Sequence, residues 1–144
     1  MTVLPLKPAM LLHVAAIERA VFSHPWSEQS LQLLCGDTAF GFAVTENDVP
    51  VAYGGMLTVL DEGQITNIAT LPECRRRGYA AAVVAALLEE ARSRKLAFVT
   101  LEVRETNAPA IALYEKFGFA VVGRRKNFYT EPTEAALVMQ CNLD

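Results

Sequence analysis

Residues 75–80 of the chain read RRRGYA, and this stretch decides how the rest of the sequence is interpreted. It leads into residues 77–94, whose apolar positions recur on one broad face of a predicted helix. A helix N-terminus offers unpaired N–H groups and the positive end of the helix dipole. Gly78 and Ala80 keep side chains clear of that backbone, and three arginines add positive charge. The stretch therefore predicts an anion site, and a diphosphate suits it.

A simpler interpretation of the same stretch stays open. Arg75, Arg76 and Arg77 are also compatible with solvated side chains at a helix start, although cations there oppose the helix dipole and need compensation. The stretch lacks the longer glycine-rich pattern with Lys and Ser or Thr that marks loops binding nucleoside triphosphates. From the residues alone, anion binding is a hypothesis.

Upstream, three strands are predicted at residues 40–45, 49–60 and 64–70. Asn47-Asp48 is typical of a hairpin turn between the first two. Gly54-Gly55 interrupts the second strand and predicts a bulge or a close approach of another backbone or side chain. Three strands joined in succession by short turns form an antiparallel meander.

The remaining pattern completes an alternation of strands and helices. We expect a short strand at residues 3–6, a helix from Pro8 to His24-Pro25, and a second helix capped by Ser27. Beyond the long helix, the predicted elements are a strand at 98–103, a helix at 107–117 ending at Gly118, and strands at 120–128 and 135–141. The order predicts a mixed α/β fold, with a central, mostly antiparallel sheet flanked by helices, in one domain over residues 1–144.

Composition narrows the class of protein. With 144 residues, 52% of them hydrophobic, the chain has material for one core, and its net charge of -3 argues against nucleic-acid binding through an overall positive field. The three cysteines, Cys35, Cys74 and Cys141, are widely spaced and accompanied by only two histidines, so we expect reduced thiols and no metal site. We find no targeting or membrane-spanning segment, and we expect a cytoplasmic protein.

The order of motifs resembles the GNAT acetyltransferases. Arg75, Gly78 and Ala80 fill the places of that family's pyrophosphate loop, which runs Gln or Arg, two residues, Gly, one residue, then Gly or Ala. Residues 67–70 (NIAT), 101–104 (LEVR) and 107–119, ending in Gly-Phe, are similar to the RimI-type branch, the N-terminal alanine acetyltransferases of ribosomal protein. Segments at 22–27 and 125–129 are similar to the same branch, so the resemblance covers most of the chain.

The resemblance implies acetyl-CoA as cosubstrate, with no metal. Ile68 and Thr70 would offer backbone groups to the pantetheine arm, and the start of the long helix would hold the pyrophosphate. The full set of implied cofactor contacts is Ile68, Ala69, Thr70, Arg76, Arg77, Gly78, Tyr79, Ala80, Ala81 and Asn107.

Glu102 is the residue that the resemblance implies as general base, acting through water on the substrate ammonium. Strand alternation places it on the face of Phe98 and Thr100, within an otherwise apolar strand. A carboxylate in that position needs a reason. The alternative is an ion pair with Arg104 or Arg125 at the sheet end.

Tyr114 is implied as the general acid that protonates the departing thiolate. It stands seven residues after Asn107, close to two helical turns, so the two side chains share nearly one face. The alternative is that Asn107 caps the helix and Tyr114 belongs to the core.

For the amine substrate that accepts the acetyl group, the resemblance implies contacts from Trp26, Ser27 and Tyr129. It also implies that this acceptor is a protein N-terminus, with a ribosomal protein as the first expectation. Glu134 stands where the branch more often has Asp, so the sequence identifies the acetyl donor, acetyl-CoA, better than it identifies the acceptor amine. An acetyltransferase acting on lysine or a small-molecule amine stays open. A non-catalytic acetyl-CoA sensor would not require Glu102 and Tyr114, so their presence favours an enzyme.

Overall fold

The computed structural model describes residues 1–143. It contains seven strands, four α-helices and three short 3-10 helices. The strands are β1 (Thr2–Pro5), β2 (Ala39–Glu46), β3 (Val49–Val59), β4 (Glu62–Thr70), β5 (Phe98–Arg104), β6 (Ala120–Tyr129) and β7 (Glu134–Asn142). The α-helices are α1 (Leu11–Val21), α2 (Glu28–Leu31), α3 (Tyr79–Ser93) and α4 (Ala108–Lys116). The 3-10 helices are Pro8–Met10, Gln32–Leu34 and Pro72–Cys74.

The strands form one sheet in the order β1-β2-β3-β4-β5-β7-β6. All neighbours pair antiparallel except β4 and β5, which are parallel because the chain crosses over through α3 between them. The predicted mixed, mostly antiparallel sheet with flanking helices is confirmed.

Two apolar clusters are built on this sheet. In one, Val83 and Leu87 of α3 are fully buried against the strands, with β5 and β7 contributing Val99 and Met139. In the other, α1 is buried against β2 and β3 together with Leu31 of α2 and Leu34 of the 3-10 helix that follows it. Since β3 is buried along most of its length, the two helical layers enclose the middle of the sheet.

Residues with positive φ form the predicted turn between β2 and β3. Asn47 and Asp48 both have positive φ, 50° and 66°, as the tight hairpin between β2 and β3 requires. Positive φ values also explain why the long helix begins later in the chain than predicted. Arg76 at 66° and Gly78 at 78° are left-handed, so α3 begins at Tyr79 rather than at the predicted Arg77.

Gly54 allows α3 to lie directly on the sheet. A Cβ on Gly54 would fall 2.4 Å from Cγ1 of Val83 and 2.7 Å from Cδ1 of Ile68. The predicted close approach is therefore confirmed, and β3 itself runs without interruption. The register shift beside Gly55 leaves the extra residue, Thr66, on β4, so the bulge lies on the partner strand.

Strands β4 and β5 separate soon after they meet. Their parallel register covers only Glu62–Gln64 against Phe98–Thr100. Beyond it, β4 continues beside β3 as far as Thr70, while β5 continues beside β7 as far as Arg104. A gap therefore opens between the carboxyl ends of two central strands, and the candidate site occupies it.

Candidate active site

The gap between β4 and β5 contains a cavity of about 600 Å³. Its walls come from β4, β5, α4, the loop between α1 and α2, and the loop between β6 and β7. Of the predicted site residues, it brings together Trp26, Ile68, Glu102, Asn107, Tyr114 and Tyr129. Residues that the sequence predicts to contact acetyl-CoA and residues predicted to contact the amine substrate thus line the same cavity.

Glu102 lies in the cavity wall with its side chain 31% exposed. The ion pair with Arg104 does not form, because that guanidinium donates to Glu134 at 3.2 Å and to two backbone carbonyls. Arg125 comes within 4.0 Å of Glu102 Oε1, at the outer limit of an ion pair. The carboxylate is therefore accessible from the cavity.

Tyr114 is 8% exposed and packs edge-on against Phe119, with ring centroids 5.9 Å apart. It also lines the cavity, so it belongs both to the core and to the site. Burial, with a smaller contribution from Tyr129, raises the pKa of Tyr114 to about 12. At neutral pH the phenol holds its proton and can donate it.

Asn107 has two roles in the structure. As the N-cap of α4, its Oδ1 accepts from the Ala110 N–H at 3.3 Å. The residue also lines the cavity, and with Tyr114 it forms the helical side of that wall. The capping alternative and the shared-face prediction both hold.

A second hollow of about 220 Å³ lies at the start of α3. It is lined by Thr70, Cys74, Arg75, Arg76, Gly78, Tyr79, Ala80, Ala81 and Leu113. Among residues 1–143 no side chain caps the helix, so its first N–H groups are left for another acceptor. A Cβ built on Gly78 would meet nothing within 4 Å, which leaves open space above those donors. These residues fit a diphosphate.

Arg77 is placed differently from its neighbours. Its guanidinium donates to Glu46 on β2 at 3.0 Å, and it does not line the hollow. Arg75 and Arg76 do line it, so the side-chain positive charge around the hollow comes from them. The predicted Arg77 contact with cofactor stays a prediction, and its guanidinium would have to leave Glu46 to make it.

Strand β4 joins the two spaces. Ile68 lines the cavity and Thr70 lines the hollow, whereas Ala69 is buried in the cluster beneath α1. Thr66, at the bulge, also lines the cavity, and its buried Oγ1 has no hydrogen-bond partner within residues 1–143. An elongated ligand along β4 would reach from the helix start to Glu102.

On the acceptor side, Trp26 and Tyr129 stand in the wall, but Ser27 does not. The Ser27 oxygen caps α2 by accepting from the Ser30 N–H at 3.1 Å. Arg104 lies over the Tyr129 ring at 4.5 Å from its centroid. Arg104 also donates to the carbonyls of Thr130 and Pro132, which shapes the loop between β6 and β7.

Sequence reasoning missed several wall residues, among them Asn67, His24 and the loop residues Thr130, Glu131 and Pro132. It also missed Glu18, a buried carboxylate that bonds to Asn67. A signal for Glu18 was present, because it stands four residues after Val14 and seven after Leu11, on the apolar stripe of α1.

A helix start whose first N–H groups face a hollow, a gap between two parallel strands, and a carboxylate and a phenol in one cavity are the features that an acyltransferase using a coenzyme A thioester would need. Residues 11–119 match the model of the acetyltransferase (GNAT) family. The chain belongs to that family and is an acetyl-CoA-dependent N-acetyltransferase.

Relatives of known name cover most of the chain. It is 38% identical over 125 residues to the ribosomal protein bS18-alanine N-acetyltransferase of Escherichia coli strain K12, which covers 85% of this chain and 84% of that one. It is 35% identical over 130 residues to the enzyme of the same name from Haemophilus influenzae, with 88% of each chain covered.

A solved structure of an enzyme of this name is also similar to the chain. The crystal structure of the ribosomal-protein-S18-alanine N-acetyltransferase from Escherichia coli superimposes with a TM-score of 0.91 and 34% identity, covering 99% of this chain and 94% of that one. The resemblance to the RimI-type branch is thereby confirmed.

No helix within residues 1–143 is long and apolar enough to span a membrane. Within the same residues, no group of three or more His, Cys, Asp or Glu side chains is arranged to hold a metal ion.

Proposed function

We propose that the protein transfers the acetyl group of acetyl-CoA to the N-terminal α-amino group of a protein, with a ribosomal protein beginning in alanine as the first acceptor to test. The observation that carries the proposal is the connection along β4. The carboxyl end of the strand, at Thr70, lines the hollow at α3, and the residues just before it, including Thr66 and Ile68, line the cavity with Glu102 and Tyr114. The names of the relatives support the choice of acceptor.

In the proposed mechanism, Glu102 receives a proton from the substrate ammonium, through a water molecule, because only the neutral amine is a nucleophile. The amine nitrogen then attacks the thioester carbonyl, and an N–H of β4 near Ile68 stabilises the charge that develops on the carbonyl oxygen. The β5 side of β4 is without a strand partner beyond Gln64, so such donors are available there.

Tyr114 completes the proposed reaction. As the new nitrogen–carbon bond forms and the carbon–sulfur bond breaks, its phenol gives a proton to the thiolate, and the second proton that the attacking nitrogen loses returns through water to the phenolate. A protonated phenol at working pH is what this role needs, and Tyr114, whose pKa burial holds above its ordinary value, is protonated there. The transfer is direct, so no covalent intermediate on the protein is required.

The same proposal takes residues 1–144 as one domain acting in the cytoplasm. Two observations support this: the apolar clusters beneath α1 and α3 share a single sheet, and the cysteines Cys35, Cys74 and Cys141 are all free thiols.

Lysine or a small-molecule amine would need nearly the same donor half. A pair of peptides separates these acceptors: one begins with a free alanine and contains no lysine, and the other is N-acetylated and contains one internal lysine. We expect transfer to the first peptide only. Transfer confined to the second would overturn the N-terminal assignment while leaving acetyl transfer intact.

A non-catalytic sensor would bind acetyl-CoA without turnover. Incubation of a lysate from cells lacking the gene with labelled acetyl-CoA and the protein, followed by mass spectrometry, would identify the acetylated N-termini. A parallel reaction with Glu102→Gln provides the matched control. Equal labelling with both proteins would remove Glu102 from the mechanism, and none with either would favour the sensor.

A further inference from the structure

Glu18 is a fully buried carboxylate in the middle of an apolar face. It lies on α1 at 0% exposure, within a cluster that contains Leu11, Val14 and Ile17. Burying a carboxylate in such surroundings is costly unless its oxygens are satisfied by hydrogen bonds. If α1 only needed to pack on the sheet, an apolar residue at this position would serve better.

Three hydrogen-bond donors from separate elements converge on this carboxylate. The backbone N–H of Trp26 donates to Oε1 at 2.8 Å, and Asn67 Nδ2 donates to Oε2 at 2.8 Å. The hydroxyl of Tyr53, on β3, also donates to Oε2. All three partners are donors, which matches a carboxylate that acts only as an acceptor.

Two of these partners line the cavity from different elements of the fold. Trp26 is in the loop between α1 and α2, on the predicted acceptor side, whereas Asn67 is on β4, next to Ile68 on the predicted donor side. Tyr53 does not line the cavity. Glu18 thus connects the loop to the strand from behind the cavity wall, without lining the cavity itself.

We propose that Glu18 is a positioning residue for acetyl transfer, whose bridge from the Trp26 backbone to Asn67 sets the distance between the acceptor loop and β4. The inference rests on the proposed acceptor side of the cavity. A misplacement of about 1 Å between reacting groups is enough to cost a large factor in rate, so a rigid link between the walls has a direct use.

Trp26 is the chain's single tryptophan, and its fluorescence therefore reports the loop alone. We expect Glu18→Gln to shift Trp26 emission to longer wavelength and to raise its acrylamide quenching about twofold, since one amide oxygen cannot accept from all three donors. Val14→Ala is the matched control, because Val14 is equally buried on α1 but its side chain has no polar atom that could form the bridge. It should lower stability and leave the emission of Trp26 unchanged.

Kinetics with a peptide beginning in alanine supply the second measurement. In Glu18→Gln we expect KM for the peptide to rise about tenfold while the Kd for CoA, by calorimetry, stays within about twofold. Asn67→Ala cuts only the β4 end of the bridge and should change peptide KM in the same direction. In the double variant the two effects should not add, because both remove the same link.

The outcomes separate a bridge from ordinary packing. Equal fluorescence and KM changes in Val14→Ala and Glu18→Gln, or additive effects in the double variant, would overturn the proposal. Should Glu18→Gln not fold, Asn67→Ala still tests the bridge through Trp26 emission. If the parent protein acetylates no peptide, the proposed function fails, whereas the fluorescence comparison still decides whether Glu18 holds the loop.

Discussion

Glu102 Oε1 lies 4.0 Å from Arg125 Nη1, the two residues standing on β5 and β6 with β7 between them. The Arg125 side chain is 60% exposed, and an ion pair so long and so hydrated contributes little. The Glu102 carboxylate therefore lies near a positive charge without forming a strong ion pair with it. This leaves Glu102 able to accept a proton from a substrate, and the first prediction tests that role.

Glu102→Gln should lower kcat/KM for an alanine peptide roughly a hundredfold near pH 7. The defect should shrink as pH rises past about 8, the ordinary pKa of an α-amino group, because more of the amine is then already neutral. Initial rates of acetyl transfer across this pH range provide the measurement. Arg125→Gln is the control and should change kcat/KM less than about threefold. A Glu102→Gln defect independent of pH would argue against a base.

Tyr114→Phe removes the proposed acid and keeps the ring that packs on Phe119. We expect kcat to fall roughly a hundredfold with the Kd for CoA nearly unchanged, since the hydroxyl is needed only when the thiolate departs. Single-turnover transfer and calorimetry measure the two quantities. A loss of CoA affinity with normal kcat would instead identify the hydroxyl as a binding group.

The raised pKa of Tyr114 also makes stability depend on alkaline pH. The phenol titrates near its ordinary 10.0 when unfolded and at about 12 when folded, so between these values the folded protein binds more protons. The contribution of Tyr114 to the free energy of unfolding is complete below about pH 10 and is lost as pH rises toward 12. The loss is about 1.4 kcal/mol at about pH 11. Urea unfolding at about pH 9 and 11 should show a smaller loss in Tyr114→Phe than in the parent.

Gly78→Glu would put a negative charge in the open space above the start of α3. We expect it to weaken CoA binding at least about a hundredfold by calorimetry. Gly78→Ala is the control, because it carries the same left-handed strain at φ 78° without the charge, and its Cβ would meet no neighbour. Equal affinities for the two variants would mean that the diphosphate lies elsewhere.

Gly54→Ala should destabilise the fold by about 1–3 kcal/mol, because the new methyl group collides with Val83 of α3 and with Ile68. Gly123→Ala, on β6, is the matched control, since its Cβ would come no closer than 3.8 Å to any atom. Chemical unfolding of both variants gives the comparison. Similar losses in the two would show that α3 can shift away from the sheet at little cost.

The sequence predicts the elements of this fold well, because the signals are local. The turn at Asn47-Asp48, the Ser27 cap and the apolar face of α3 all depend on residues near one another in the chain. The periodicity predicts a start of α3 at Arg77, two residues early, because it does not report the left-handed φ of Gly78.

The candidate site was predicted less completely because much of it depends on contacts between distant residues. Arg104 binds Glu134 and the carbonyls of the loop after β6, which no spacing in the sequence indicates. The same holds for the link from Glu18 to Asn67, 49 residues apart. Arg77, whose place in the motif assigns it to the cofactor, instead donates to Glu46 on β2, 31 residues away in the chain.

The separation of β4 from β5 after Gln64 gives the protein an interior sheet edge. Unpaired strand edges ordinarily invite another chain, and proteins cover them. Here α4 and two loops surround the edge, and the cavity of about 600 Å³ between them is the space for a narrow, flexible ligand. A ligand that fills this edge binds the folded protein and not the unfolded chain. Acetyl-CoA should therefore raise the melting temperature, and at concentrations above Kd the rise should follow the logarithm of its concentration.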